Sequence, residues 1–289
     1  MRSYPEYRDV DVGWADRLPA HWEMRRAKRI FAEKDRPAEE NDGVVTAFRD
    51  GEVTLRENRR TEGYTESLTK NNYQGIRKGD LVIHSMDAFA GAIGVSDSDG
   101  QASPVYVVCR PENEDEVDVH FYKYLLRHMA WSGYIESLAR GIRERSSDFR
   151  YSEFANQFLP VPPLQEQRAI AEELDEQIAR IDEYIAKKRE LIDLLERQRR
   201  TVINRAVTRG LDDGVEMTDS GVGWLGEIPA HWEQIRLKYL TEEIIDAEHK
   251  TAPAHSDGDY LVVRTSNIRD GRLVLDDAYY TNEEVFREW

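Results

Sequence analysis

The most regular hydrophobic rhythm in the chain runs from Pro163 to about Arg209. Positions spaced alternately by four and three residues are Leu174, Ile178, Ile181, Ile185, Lys188, Ile192, Leu195, Arg199, Val202 and Ala206. Eight of these ten are apolar, a seam of the coiled-coil type rather than the broader face of a globular helix. Pro162 and Pro163 suit the beginning of a helix but not its interior. Gly210 is placed to stop it, with Arg205 and Arg209 near the negative end of the helix dipole. At 1.5 Å per residue the predicted rod is roughly 60–70 Å long. Its first half is acidic (Glu166, Glu172, Glu173, Asp175, Glu176, Asp182, Glu183) and its second half basic (Lys187 to Arg209). This polarity favours an antiparallel helical partner. A solvated amphipathic helix is the alternative reading.

Before the rod, the rhythm shortens. Val44–Phe48 and Val53–Leu55 flank an Arg-Asp-Gly-Glu turn and predict a hairpin. Ile76–Asp80 reads as a turn launching a strand over Leu81–His84, followed by strands at Gly91–Val95 and Pro104–Cys109. From Val119 to about Met129, and again from Trp131 to about Arg140, the pattern predicts helices, with a further short helix within Asp148–Phe158.

A long-range repeat organises the whole. Val12-Gly-Trp-Ala-Asp-Arg-Leu-Pro-Ala-His-Trp-Glu-Met-Arg-Arg-Ala-Lys28 returns as Val222-Gly-Trp-Leu-Gly-Glu-Ile-Pro-Ala-His-Trp-Glu-Gln-Ile-Arg-Leu-Lys238, a constant offset of 210. This points to duplication of a domain-plus-helix unit rather than a short solenoid repeat. Each copy reads as an extended lead-in with tryptophan anchors, and the Glu-x-x-Arg stretch after it as the start of a short helix. Extrapolating the offset gives a second copy that is less than half present. A second strand pattern, Tyr260–Thr265 and Leu273–Leu275, fits this reading. The expected fold class is α+β: a first domain over 1–162, a long helix over 163–210, and a partial second domain over 211–289.

Composition narrows the function. At 289 residues there is room for about two domains. One cysteine, Cys109, excludes an internal disulfide framework and points to a reducing compartment, with the thiol buried in a strand. No apolar run nears the roughly 20 residues of a bilayer span, so no membrane role is expected and the chain reads as soluble and intracellular. The net charge of −16 opposes simple nucleic-acid binding, although most of the excess acidity lies after Arg209. A high-salt cytoplasm, where an acidic surface maintains solubility, would account for it.

The motifs of an enzyme are missing. There is no Gly-rich phosphate loop, no G-x-G-x-x-G after a strand, and no Cys or His pair at metal spacing. Val161-Pro-Pro-Leu164 lacks the polar and aromatic ends of an amino-methyltransferase loop. His84, Ser85 and Asp87 are neighbours in sequence, whereas a triad is defined by geometry. His21 and His231 lack a second ligand and read as structural. No catalytic residue, metal or cofactor is expected, and the chain reads as a binder.

Two basic stretches could meet nucleic acid. One is Arg140, Arg143, Arg145 and Ser146, with Arg150 following: guanidinium and hydroxyl groups around a glycine break suit phosphates and guanine edges. Glu144 and Asp148 could instead simply pair with these arginines. The other is Arg59 and Arg60 through Tyr64 to Lys70, Asn71 and Tyr73, which suits base edges and an exposed hairpin nearly equally.

Four features together resemble the specificity (S) subunit of type I restriction-modification systems: the Gly-Trp…Leu-Pro-Ala-His-Trp lead-in, the Lys78-Gly-Asp-Leu-Val-Ile83 strand, the Leu159-Pro-Val-Pro-Pro-Leu-Gln-Glu-Gln-Arg168 junction, and the duplicated layout. The resemblance implies target recognition domains, each followed by a spacer helix, with the helices paired antiparallel. Each domain would read half of a split double-stranded DNA site, and the helices would dock methyltransferase (M) subunits, with a restriction (R) subunit in the full cytoplasmic complex. Methylation and cleavage would belong to M and R. Leu174, Ile178, Ile181, Ile185, Ile192, Leu195 and Val202 become the helix-pairing residues, and self-pairing of two copies is a further expectation. The alternative is a truncated fragment that occupies M without specific DNA recognition.

Overall fold

The computed structural model describes residues 4–59, 73–138, 148–244 and 250–288. The chain is α+β and divides into two compact units, Met1–Glu190 and Leu191–Trp289, with the division falling inside the long helix.

In the first unit, β1 (Tyr7–Asp9) and β2 (Arg17–Pro19) form an antiparallel hairpin. β3 (Glu23–Arg26), a single 3-10 turn at Ala27–Arg29 and β4 (Phe31–Glu33) follow. β5 (Val45–Ala47) and β6 (Val53–Leu55) are the predicted hairpin. Then come β7 (Gln74–Ile76), β8 (Leu81–His84), β9 (Ile93–Val95), β10 (Gly100–Ala102) and β11 (Tyr106–Pro111). Three helices, α1 (Val119–Trp131), α2 (Tyr134–Leu138) and α3 (Tyr151–Phe154), lead to β12 (Phe158–Val161) and α4 (Leu164–Arg209).

The centre is a four-stranded antiparallel sheet in the order β4-β11-β8-β9. Alternation along its strands feeds two cores. Leu81, Ile83, Val107, Cys109 and Ile93 face the larger one with Phe31, Tyr122, Leu126 and Phe154. Val82 and Val108 face the smaller one with Val45, Val53 and Ile76 from the neighbouring strands. Burial on both faces explains why Leu-Val-Ile in β8 is continuously apolar rather than alternating. Asp118 caps α1 by accepting the Phe121 N–H at 2.9 Å, a contribution of about 1 kcal/mol.

Pairing overrides local pattern in several places. Glu23–Arg26 was expected to begin a helix, but it pairs in register with Phe158–Val161 and is a strand, leaving only the turn at Ala27–Arg29 helical. The same pairing shortens the helix expected within Asp148–Phe158 to Tyr151–Phe154. Gly133, at φ +76°, interrupts the helix expected from Trp131, so α2 begins at Tyr134. The predicted strands at Gly91–Val95 and Pro104–Cys109 are found as Ile93–Val95 and Tyr106–Pro111, while Gln74–Ile76 and Gly100–Ala102 pair with each other without a clear period-two signal.

The second unit contains the rest of α4, which ends at Gly210 with φ +78° as expected for a left-handed stop. After it come β13 (Met217–Asp219), β14 (Glu227–Pro229), β15 (Tyr260–Val262), β16 (Ile268–Arg269), β17 (Arg272–Leu273), β18 (Tyr279–Thr281) and α5 (Glu283–Glu288). The sequence repeat is a structural one. Tyr7 pairs with Pro19 and Asp9 with Arg17; Met217 pairs with Pro229 and Asp219 with Glu227. The bonds Val10 N to Asp16 O, Ala20 N to Glu6 O and Trp22 N to Pro19 O recur as Ser220 N to Gly226 O, Ala230 N to Glu216 O and Trp232 N to Pro229 O. Each partner is displaced by the same 210 positions.

Candidate nucleic-acid interface and partner-binding helix

The repeated lead-in holds the start of α4. Glu166, in the helix's first turn, accepts the indole N–H of Trp22 at 2.9 Å, and its other oxygen lies 3.0 Å from His21 Nε2. Tyr4 also bonds this carboxylate. Burial pushes the Glu166 carboxyl upward, but the bonds from Tyr4, His21 and Trp22 outweigh it and leave the group below its ordinary value. Burial, helped by the bond to Glu166, raises the Tyr4 phenol to about 12. The next residue, Gln167, is fully buried; its oxygen accepts the Asp118 N–H and its amide donates to the carbonyls of Glu116 and Pro162, each at 2.8 Å. About two turns on, Asp175 bonds the Tyr124 hydroxyl and the Lys123 ammonium. Desolvation opposes ionisation of Asp175, yet those two donors bring its carboxyl below the ordinary value.

Beyond this anchored base the helix is bare. Leu174 is half-buried, whereas Ile178, Ile181, Ile185, Ile192, Leu195 and Val202 are exposed, together with Leu191, Leu194 and Ile203. These apolar side chains form a solvent-exposed stripe along the helix. Ion pairs from Arg180 to Glu176 and Lys187 to Glu183 lie within the helix and support it locally.

The arginine candidates separate. Arg140, Arg143, Arg145 and Ser146 lie outside the described residues, as do Arg60, Tyr64, Lys70 and Asn71. Arg59 is committed to its own hairpin: it meets Asp50 and Glu52 at 2.8 Å and stacks 4.2 Å above the Phe48 ring. Tyr73 is half-buried just before β7. Arg150 pairs with Asp148, the neighbour anticipated as its counter-charge. It lines a cavity of about 620 Å³ with Glu33, Ser85, Tyr106 and Tyr151. Burial and the nearby Asp35 raise the Glu33 carboxyl. With Glu33 and Asp148 on its walls, the cavity is poorly suited to a phosphate.

Two other motifs are structural. Gly79, at φ +86°, turns the chain into β8, and buried Asp80 accepts from Arg36, from Arg110 Nε at 2.6 Å and from the Arg77 N–H at 2.7 Å. The Lys78-Gly-Asp stretch is thus a knot beneath the central sheet. Nothing in the sequence alone signalled that Asp80 would be buried and shared by two guanidiniums. His84 Nδ1 accepts the Asp87 backbone N–H at 3.1 Å, Asp87 turns to Arg49, and burial lowers the His84 pKa. This geometry closes a turn rather than activating the Ser85 hydroxyl. Among the described residues no cluster of His, Cys, Asp and Glu could hold a metal, and no helix is long and apolar enough to cross a membrane.

Comparison with known proteins is consistent with the lead-in, junction and helix. A protein of Methanocaldococcus jannaschii that carries the name type I restriction enzyme MjaX specificity subunit is 23% identical over 306 aligned positions, covering 99% of this chain and 68% of the relative. The chain is a homologue of a type I restriction specificity subunit. Solved structures with a similar outline include a chain of a type I R-M assembly (18% identity, TM-score 0.47) and the HsdS subunit from Thermoanaerobacter tengcongensis (20% identity, TM-score 0.45). Each match covers 68% of this chain. The chain spans only about half the length of those solved chains, 48% and 47%. No family model matches.

Proposed function

We propose that this chain is a DNA sequence-recognition subunit of a type I restriction-modification complex, working in the cytoplasm. The observation that carries the reading is the similarity, over 99% of the chain, to a named specificity subunit. In this reading, residues 1–162 recognise one half of a split double-stranded target, residues 163–210 are a spacer helix, and residues 211–289 belong to a second recognition domain. The exposed stripe from Ile178 to Val202 docks methyltransferase subunits and a second spacer helix, that of another copy of the chain included. Methylation and cleavage are left to the M and R partners. Contact with bases and phosphates is assigned to Arg140, Arg143, Arg145 and Ser146, and to the stretch Arg60 to Asn71, because Arg59 and Arg150 already carry internal partners.

The deciding experiment is methylome sequencing of a host expressing the chain with its cognate M subunit. A defined methylated sequence, lost when the chain is deleted, is expected. Methylation that is absent, or present without sequence preference, would overturn the reading. Light scattering of the chain alone and with M tests the stripe: a monomer in both cases at micromolar concentration would remove helix docking from the proposal.

A further inference from the structure

Three strand ends meet at one edge of the central sheet. β4 and β8 both run antiparallel to β11, so their last residues, Glu33 and His84, lie toward the same edge as Tyr106, the first residue of β11. The cavity of about 620 Å³ opens there, with Glu33, Ser85, Tyr106, Asp148 and Tyr151 in its wall. Both basic stretches singled out in the sequence adjoin it. Asp148 follows directly on Arg140–Ser147, and the Phe149 N–H donates to the Ser85 carbonyl at 3.0 Å. Gln74, next after Tyr73, donates to the carbonyls of Ser103 at 3.4 Å and Tyr106 at 2.6 Å, on either side of Pro104 and Val105 in the wall. Two polar groups of the cavity have no use within the described chain. Ser85 is 4% exposed, and among the described residues its hydroxyl has no hydrogen-bond partner. The Glu33 carboxylate has neither ion pair nor hydrogen bond among them, and burial with the nearby Asp35 raises its pKa. An unused acceptor and an unused, buried hydroxyl in one concave site call for a ligand that donates.

We propose that this cavity reads the amino-bearing edge of a base, adenine N6 or cytosine N4, with the Glu33 carboxylate as acceptor and the Ser85 hydroxyl as second contact. The inference rests on the DNA-recognition reading above and adds to it a place where sequence is read. In the major groove adenine and cytosine present an amine, whereas guanine and thymine present a carbonyl oxygen at the matching position. An amine satisfies the carboxylate. A carbonyl oxygen sets two acceptors against each other, which rejects the wrong base rather than merely losing a contact. For adenine the Ser85 hydroxyl can also donate to N7, an acceptor that cytosine lacks. The neighbouring arginine-rich stretches supply the phosphate contacts that fix position. The cavity, ill suited to phosphate, supplies discrimination.

The test repeats methylome sequencing of a host expressing the full chain and its cognate M subunit with Glu33→Gln and with Ser85→Ala. Glutamine has the shape of glutamate but donates as well as accepts, and Ser85→Ala removes an oxygen that no described residue uses. Both variants should fold, as circular dichroism verifies. Glu33→Gln should lower the preference for adenine or cytosine over guanine or thymine about tenfold at one position of one strand, with the rest of the motif kept; Ser85→Ala should do so by less. A second arm needs no M subunit. Saturation-transfer NMR of the chain with deoxyadenosine, deoxycytidine and thymidine should show the amino-bearing nucleosides binding at about millimolar concentration and thymidine at least about tenfold more weakly. The same arm tells adenine from cytosine. Relaxation at one position alone supports the inference. A wild-type motif that neither substitution alters, or a uniform loss of methylation in folded variants, overturns it and leaves the recognition reading standing. No wild-type motif, with a nucleoside preference that Glu33→Gln removes, overturns the recognition reading and keeps the cavity assignment. Neither motif nor nucleoside preference overturns both.

Discussion

The base of α4 and the remainder of the same helix obey different rules. Over Leu164–Asp175 Ala171 and Ile170 pack on the first unit's core, and the polar side chains beside them are individually matched: Glu166 to Tyr4, His21 and Trp22; Gln167 to three main-chain groups; Asp175 to Tyr124 and Lys123. From Ile178 to Val202 the informative side chains are aliphatic and touch solvent. Directional bonds fix the angle at which a helix leaves a domain, since each bond has a narrow geometric optimum. An aliphatic stripe fixes no angle but rewards any complementary surface with buried area. One helix thus carries a directionally bonded base and a bare aliphatic stripe.

The largest effect expected from breaking this contrast comes from the aliphatic stripe. Changing Ile181 and Leu195 together to aspartate should abolish association with a partner helix, because it buries two unpaired charges at a seam. The thermal midpoint of the isolated chain should stay nearly unchanged, since both residues are exposed in it. Size-exclusion chromatography and calorimetry together read this out, and a large fall in the midpoint would show that the stripe serves the chain's own fold.

Next in size is Gln167→Ala, which strands the Asp118 N–H and removes the donors to the carbonyls of Glu116 and Pro162. A loss of about 2–3 kcal/mol in denaturant unfolding is expected, with partner affinity little altered. Arg143→Ala or Arg145→Ala should each cost about 1–3 kcal/mol of DNA affinity by electrophoretic shift and leave assembly intact. If assembly fails and DNA binding survives, the two surfaces have been assigned the wrong way round.

The smallest effect is one of pH. Glu166 and Asp175 both have folded-state carboxyls below their ordinary values of 4.5 and 3.8. A depressed carboxyl stabilises the fold above its unfolded value and loses that contribution as pH falls through the folded one. The thermal midpoint should therefore decline on acidification below about pH 4.5, and Glu166→Gln should flatten part of that decline. An unchanged slope in Glu166→Gln would mean the carboxylate is not what ties the helix to the lead-in.

Legibility in the sequence followed the same division. The seam was readable because a 4-3 spacing is local and survives without knowledge of contacts, and the 210-residue offset was readable by identity alone. β8 and the β5–β6 hairpin were legible for the same reason, through apolar runs and a Gly-containing turn. β3 and β7 were not, because each is a strand only by virtue of a partner distant in sequence: Glu23–Arg26 carries a helical pattern until Phe158–Val161 lies beside it. The roles of Glu166 and Gln167 were hidden too. Both sit in a helical stretch rich in similar residues, and only the fold shows which carboxylate and which amide face inward. Among the DNA contacts expected from the sequence, Arg59 and Arg150 illustrate the limit of composition, since nearby acidic residues claim both.

Cys109 lies fully enclosed on β11, and burial drives its thiol pKa upward, away from the reactive thiolate. The outer surface is therefore blank to maleimide chemistry in the native state. A cysteine introduced anywhere along the α4 stripe would take up a dye or spin label alone, without first deleting the native thiol. Distances between labels on assembled partners would then reveal whether neighbouring rods run in the same or opposite directions.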